Sequence, residues 1–462
     1  MTDFQHDIAI VGAGFCGMAL ARTLAQCAPS GTRVALIGTA EDFGRGLAYA
    51  QAQPEHLLNV RARDMGIDPD DLAGFADWLK LEGDARTGFV PRRKYGDYLD
   101  AELDAVLVQF AEGFTLDRIP ARVVDVRREG EGFTLSLNQG DTLQTKRLVL
   151  ATGTLPPAPL TQAEETLRHS PHYIESPWVP GALENIDADA SVLIVGAGLT
   201  FADIAASLHV RGHRGRILAI SRHGLEPQAQ PAVPLPPFAL PAQLQAAWGE
   251  GDLRGVLHQL RLAVRDVPDW RAVVDALRPG LQPFWKRLDA SQRRRFLRHL
   301  ASHWDVHRHR LAPGTAARLD ALRASGQLRQ YAARLVSAHL VSGQVVQARM
   351  QPRGKDVVWV EHVDVLIRAT GLTLDLRNAM QTPFARMIAD GLITADPHGL
   401  GLRTDAAGRA LDAKGERVPS LSILGPLQRG QFWEITAVPE LREAAKSLGQ
   451  RLASELASEL RA

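Results

Sequence analysis

The sequence predicts an α/β fold built from two Rossmann-like dinucleotide-binding domains, the second inserted in the first, with a helical insertion. Three observations carry this. Gly12-Ala13-Gly14-Phe15-Cys16-Gly17 directly follows the apolar run 8–11, and Gly196-Ala197-Gly198-Leu199-Thr200-Phe201 directly follows the apolar run 192–195. Two further apolar runs end in the same Ala-Thr-Gly turn, at 151–153 and 369–371. In such loops glycine lets the backbone turn tightly and approach a pyrophosphate, which then rests on the N-terminus of the following helix. One GxGxxG is a weak signal. Two of them, each preceded by a strand pattern and followed by an alanine-rich helix pattern, point to a pair of dinucleotides.

The elements follow in order. A first βαβ unit covers 7–37, with its helix at 18–27 and its second strand at 33–37. A polar loop occupies 38–46, and helices are expected within 72–81 and 95–106. Alternating apolar residues predict strands at 122–127 and 133–138, and a buried strand at 147–151. The proline-rich stretch 155–159 reads as a linker. A second βαβ unit starts at Ala190 and runs through a strand at 215–221. Prolines across 227–241 exclude regular structure there. Periodicity is helical over 243–325, and strands return at 335–341, 345–351, 356–361 and 363–369. The last strand, 420–424, runs into Gly425-Pro426, and a closing helix covers 438–460. The expected domains are 1–160, then 161–375 with a helical insertion at 225–330, then a return to the first domain over 376–462.

Composition narrows the function classes. A chain of 462 residues is long enough for two or three domains. Its 53 Lys and Arg balance 52 Asp and Glu, which leaves no global basic footprint for nucleic acid or an anionic membrane. A local basic excess between Lys286 and Arg334 suits an acidic substrate or a phosphate. No run approaches the ~20 apolar residues of a membrane helix, and the N-terminus leads straight into a strand, so a cytoplasmic location is expected. The two cysteines, Cys16 and Cys27, form no CxxC, which excludes a dithiol-disulfide mechanism. His299, His303 and His307 lie four apart, but no carboxylate or cysteine completes a set, and Asp305 is expected to point elsewhere. No metal is expected. Trp285, Trp304 and Tyr331 could line the side of the insertion, but core packing is the preferred expectation for each.

The segments GAGFCG (12–17), GRGLAY (44–49), HLLNV (56–60), PRRKYGDYL (91–99), ATGT (151–154), VGAGLT (195–200), RATGL (368–372) and GPLQRGQFWEITAVPELREAA (425–445) carry a family resemblance. Together they resemble the FAD/NAD(P)-binding group of two-dinucleotide-binding flavoproteins, which is related to the flavin-containing and N-hydroxylating monooxygenases. The resemblance implies FAD cradled by Gly12, Gly14, Phe15, Cys16 and Gly17, with Arg45 near the phosphates. It places Leu58 and Asn59 by the flavin ring and Val124 by adenine, with Thr152, Gly153 and Gly425 completing the site. It implies a second cofactor, NADPH, on Gly196, Gly198, Leu199, Thr200, Ser221, Arg222, Thr370 and Gly371. Trp433 and Glu434 are the substrate-facing candidates.

Two departures bear on FAD. The strand-end acid that holds the adenosine ribose is replaced by Gly38, leaving Glu41, Asp42 or water to substitute, and the usual Gly-Asp pair is Gly425-Pro426. For the second cofactor, Ser221-Arg222-His223 ends its strand with no carboxylate to repel a 2′-phosphate. A hydroxyl and a bidentate cation there favour NADPH over NADH.

The resemblance therefore implies an NADPH-dependent FAD monooxygenase acting on a small amine or amino acid, with dioxygen as co-substrate and no nucleic-acid or membrane partner. Two alternatives use the same motifs: a flavin dehydrogenase or reductase without oxygen insertion, and a flavin-binding scaffold or redox sensor.

Overall fold

The computed structural model describes residues 4–41, 43–109, 113–376 and 383–461. Asp42, one of the two residues expected to replace the ribose acid, lies outside them. The strands form two sheets. The first contains β1 (His6–Val11), β2 (Thr32–Gly38), β3 (Phe114–Pro120), β4 (Val123–Glu129), β5 (Gly132–Leu137) and β6 (Thr142–Leu150), and β14 (Arg409–Leu411) and β15 (Arg417–Ile423) complete it. The second contains β7 (Tyr173–Ile174), β8 (Val192–Val195), β9 (Ile217–Ser221), β10 (Leu328–Val341), β11 (Val345–Pro352), β12 (Trp359–Val363) and β13 (Val365–Arg368).

In the first sheet the order is β14-β15-β6-β1-β2-β3, with a parallel centre; β5 pairs antiparallel with β6, and β4 pairs antiparallel with β5. The centre of β1 is apolar at every position and buried on both faces, as a strand covered on two sides requires. One face is covered by helix Phe15–Cys27 packed on the closing helix Val438–Glu459, through Leu20, Leu24, Ala445, Leu448 and Leu452. The two helices are so close that a Cβ at Gly449 would fall 2.6 Å from the Thr23 methyl. On the other face Ala9, Val11, Ala35 and Ile37 meet Phe133, Leu135, Phe384 and Met387.

The second sheet has the order β12-β11-β10-β9-β8-β13-β7 and sits wholly between residues 173 and 368. Helices Leu199–Val210 and Pro313–Ala324 cover one face. Strand β10 serves two neighbours. Its first half pairs parallel with β9 and its second half pairs antiparallel with β11, with an irregularity between Leu335 and Ser337.

Three sequence expectations change. The helical stretch is not one insertion: Pro313–Ala324 is the crossover helix of the second sheet, and the helices from Ala242 to Arg308 form a separate bundle with its own core. Leu400 and Trp433, from the far end of the chain, enter that core. The edge strand β3 was not expected, because Asp117 and Arg118 break its apolar pattern where it faces solvent. Helix 299–307 is interrupted at Leu300, so His299 ends one helix while His303 and His307 belong to the next. No helix among the described residues is long and apolar enough to cross a membrane.

Candidate dinucleotide sites

Both glycine loops are built to the same plan. In the first, Gly12 N donates to Ile37 O at 2.8 Å and Ala151 N donates to Val11 O at 2.8 Å. In the second, Gly196 N donates to Ile220 O at 2.8 Å and Ala369 N to Val195 O at 2.8 Å. Each loop is thereby pinned between the two strands beside it. Gly12 has φ +112° and Gly196 φ +119°; a Cβ would fall 2.3 Å from Ala151 O or 2.1 Å from Ala369 O, so only glycine fits.

Phe15 and Cys16 open the first helix and are buried, and burial pushes the Cys16 thiol up to about 12. Thr152 Oγ1 is buried at the turn facing this loop without a hydrogen-bond partner. The next residue, Gly153, has φ +73° and open space beside it. An orphan hydroxyl, an open glycine turn and the free N–H groups of a helix start suit a pyrophosphate. Leu58 is buried, and the Asn59 carbonyl accepts from Gln230 Nε2 at 2.9 Å. Val124 lies on β4 with its side chain exposed.

Three residues differ from their expected roles. The Arg45 guanidinium is held by Asp100 (2.7 Å from Nε) and Asp97 (2.9 Å from Nη2). It ties the 44–46 turn to helix Arg92–Gln109 instead of standing free for a phosphate. At Gly38 a Cβ would fall 2.6 Å from the Ala13 Cβ, so the glycine loop itself occupies the room a ribose-binding acid would need. Gly425 (φ +96°) packs on the Cys16 sulfur and leads only into the one-turn helix Pro426–Gln428; the long helix starts later, at Val438. Glu41 is exposed.

At the second loop, Gly198 and Thr370 are exposed, and Gly371 (φ +78°) has open space beside it. Leu199 and Thr200 begin the helix, and fully buried Phe201 stands where Gly17 stands in the first loop. At the end of β9, Ser221 Oγ accepts from Gly224 N at 3.0 Å. Arg222 is exposed and forms no ion pair among the described residues. Burial lowers the His223 imidazole below its usual range, and the positive charges of Arg353 and Arg222 lower it further. Arg353 is thus part of this basic corner, which sequence reading missed because it arrives from β11, beyond the crossover.

Between the two loops lies a polar interface. Arg92 donates to Asp203 through both terminal nitrogens (2.6 and 3.3 Å) and to Leu57 O through Nε at 3.1 Å. Ser207 Oγ donates to Glu55 Oε1 at 2.5 Å, and it lies 2.9 Å from His56 Nε2. His56 Nδ1 accepts from Gln53 N at 3.1 Å, so the ring carries its proton on Nε2 and donates it to Ser207. The 227–241 segment adds Gln230 against Asn59, and Arg61 Nη2 donates to Pro231 O at 2.7 Å. The motifs at 56–60 and 91–99 were visible in the sequence, but this clamping role was not.

Residues 9–155 match a family model described as FAD-NAD(P)-binding, and residues 84–231 match one described as L-lysine 6-monooxygenase/L-ornithine 5-monooxygenase. No curated protein matches by sequence comparison. Among solved structures, the fold is similar to an ornithine N-hydroxylase from Kutzneria sp. 744, at 15% identity and TM-score 0.65, covering 97% of this chain and 99% of that one. An L-lysine 6-monooxygenase from Pseudomonas syringae is similar at 17% identity and TM-score 0.63, covering 98% and 99%. Thioredoxin reductase from T. acidophilum is similar at 13% identity and TM-score 0.53, covering 97% and 98%. The fold is that of the two-dinucleotide-binding flavoproteins.

Within this flavoprotein fold, Trp433 and Glu434 are each only 2% exposed. Trp433 stacks on Trp285 with centroids 4.6 Å apart, under the Arg429 guanidinium, and forms part of the wall of a cavity of about 560 Å³ in the helical bundle. Glu434, at φ +71°, stands behind that wall and accepts from Trp304 Nε1 at 2.8 Å. Burial would raise its pKa, but His309, Arg308 and Trp304 hold it down to about 2. Among the described residues Asp305 joins none of His299, His303 and His307; its neighbours are His309, Glu434 and Arg429. With His309 and Glu434 it places ligand atoms within 4.8 Å of one another, and burial raises its pKa. Arg429 (3.6 Å from Asp305) and Arg308 (3.4 Å from Glu434) already supply the countercharge. Of the expected core aromatics, Trp285 is buried, Trp304 is part-buried in the cavity wall, and Tyr331 is 43% exposed on β10.

Proposed function

We propose that this protein is an NADPH-dependent FAD monooxygenase that hydroxylates the nitrogen of a small amine or amino acid. The observation that carries the reading is the match of residues 84–231 to the lysine and ornithine monooxygenase model, a segment that contains the second glycine loop. The geometry supports it: each loop has an open glycine turn at a helix N-terminus, and the second ends in a basic corner with no acid.

Gly12, Gly14, Phe15, Cys16 and Gly17 hold the FAD pyrophosphate, with Thr152 donating its unpartnered hydroxyl and Gly153 leaving room. Gly196, Gly198, Leu199 and Thr200 hold the NADPH pyrophosphate, with Thr370 and Gly371 alongside. Arg222 faces the 2′-phosphate, Arg353 and Ser221 support it, and the absence of a carboxylate removes the usual bias toward NADH. Arg92, Asp203, His56 and Ser207 fix the two nucleotide sites relative to each other. Bound FAD supplies the redox chemistry, accepting hydride from NADPH and activating dioxygen.

The test is NADPH oxidation with simultaneous oxygen uptake and hydroxylamine detection, across lysine, ornithine, cadaverine and related amines. Amine-dependent hydroxylamine formation supports the reading. NADPH oxidation without hydroxylated product for any amine would replace it with a reductase or oxidase, and no flavin-dependent oxidation at all would leave a binding scaffold.

A further inference from the structure

The helical bundle frames a half-open cavity whose lining is unusual for a packed core. Five of the eight tryptophans in the chain line it: Trp248, Trp270, Trp285, Trp304 and Trp433. Its volume of about 560 Å³ is that of a small-molecule site. Protein interiors rarely leave voids much larger than a water molecule, so an apolar space of this size in a bundle core is a place for an occupant.

Helix Leu253–Arg265 explains how the space stays open. Val256, Leu257, Leu260 and Val264 share one face at helical spacing, and that face lines the cavity while also packing on the bundle core. Leu257, Leu260 and Val264 remain only part-buried.

The formal charges on the lining are of one sign. Arg261 and Arg265 are exposed, line the cavity, and form no ion pair among the described residues. They lie four apart on the helix, a like-charge spacing that is unfavourable until an anion meets both. His303 and His307 line the side contributed by helix Ala301–Arg308. His307 Nδ1 donates to His303 O at 2.7 Å, which fixes its ring edge-on to Trp270 at 4.8 Å. No aspartate or glutamate lines the cavity.

We propose that this cavity binds an amphipathic anion, with an alkyl or aromatic body among the tryptophans and an acidic group on Arg261 and Arg265. The site lies outside both dinucleotide loops, and it stands whether or not the monooxygenase reading holds.

The test uses the full-length protein with three carboxylates (octanoate, dodecanoate and 2-naphthoate) and dodecyltrimethylammonium as the charge-reversed control. All are kept below micellar concentrations. Binding is followed by tryptophan fluorescence and calorimetry. At least one carboxylate is expected to bind saturably at one site, at least tenfold more tightly than the cation. Arg261→Glu/Arg265→Glu, on the exposed rim, is expected to abolish or invert that preference. Val264→Trp, which fills the space, is expected to remove binding while flavin content and melting temperature stay near wild type. Absence of saturable carboxylate binding, equal binding of the cation, or unchanged binding in either variant would overturn the proposal. If Val264→Trp fails to fold, the rim variant decides alone.

Discussion

At position 38 the sequence offers no carboxylate, and the structure supplies the reason. The Ala13 methyl of the glycine loop fills the place of a Cβ, at 2.6 Å. Gly38→Glu would therefore push the loop away from its pyrophosphate-binding position, not add a ribose contact. The expected outcome is a clear loss of flavin per protein by absorbance near 450 nm, with Gly38→Ala losing less; full flavin occupancy in both variants would show that the loop yields. Overpacking of this kind costs about 1–3 kcal/mol. At the second site the decisive residue is Arg222. A charge-assisted contact to the 2′-phosphate is worth roughly 1.5–3 kcal/mol, and each ~1.4 kcal/mol is tenfold. Arg222→Ala should raise the NADPH Michaelis constant by about ten- to a hundredfold and leave NADH kinetics nearly unchanged. Arg353→Ala should have a smaller effect of the same sign. Equal losses with both coenzymes would make Arg222 a structural residue.

At the scale of elements, the local parts of the fold were legible and the clamps between them were not. Both glycine loops, the proline-rich 227–241 segment and the closing helix can be read from neighbouring residues, because turn chemistry and apolar period are local. Arg92 and Asp203 are 111 residues apart, and His56 and Ser207 are 151 apart, so nothing in either neighbourhood announces the partner. The first half of β10 was missed for another reason: Arg329, Tyr331 and Arg334 face outward and mask its period. The Arg92–Asp203 pair can be tested directly. Arg92→Met leaves a buried carboxylate without its cation, which typically costs about 3–5 kcal/mol. The double variant Arg92→Met/Asp203→Leu should recover most of that in denaturant melts. His56 gives this interface a pH dependence. Burial lowers its folded pKa, although Asp203 and Glu55 nearby oppose that, and a second proton would have to take Nδ1 from the Gln53 amide. Because the folded ring resists the proton that the unfolded one takes up, this stability is intact above ~6.5, the ordinary histidine value, and declines as pH falls below it. The melting temperature should fall between pH 7.5 and 5.5. His56→Gln should fall less over that range, and identical slopes would remove His56 as the cause.

At the scale of the whole molecule, the two sheets have different histories in the chain. The second is complete between residues 173 and 368, whereas the first waits for β15, which pairs with β6 through Leu421↔Leu148 and Ile423↔Leu150. Fragments ending near residue 400 should appear in the insoluble fraction while the full chain is soluble; a soluble, flavin-binding 1–400 fragment would contradict this. The same gap sets an order of events during synthesis. The ribosome releases β6 long before β15 exists, and for those roughly 270 residues the 148–150 part of a buried-type strand stands with one edge unpaired. At about 5–20 residues per second that is an interval of tens of seconds. Within it the nascent chain depends on speed of elongation and on holding factors to keep that edge from the wrong partner. Codon choice between β6 and β15, which no folded-state contact reports, thus becomes a determinant of how much active protein a cell obtains.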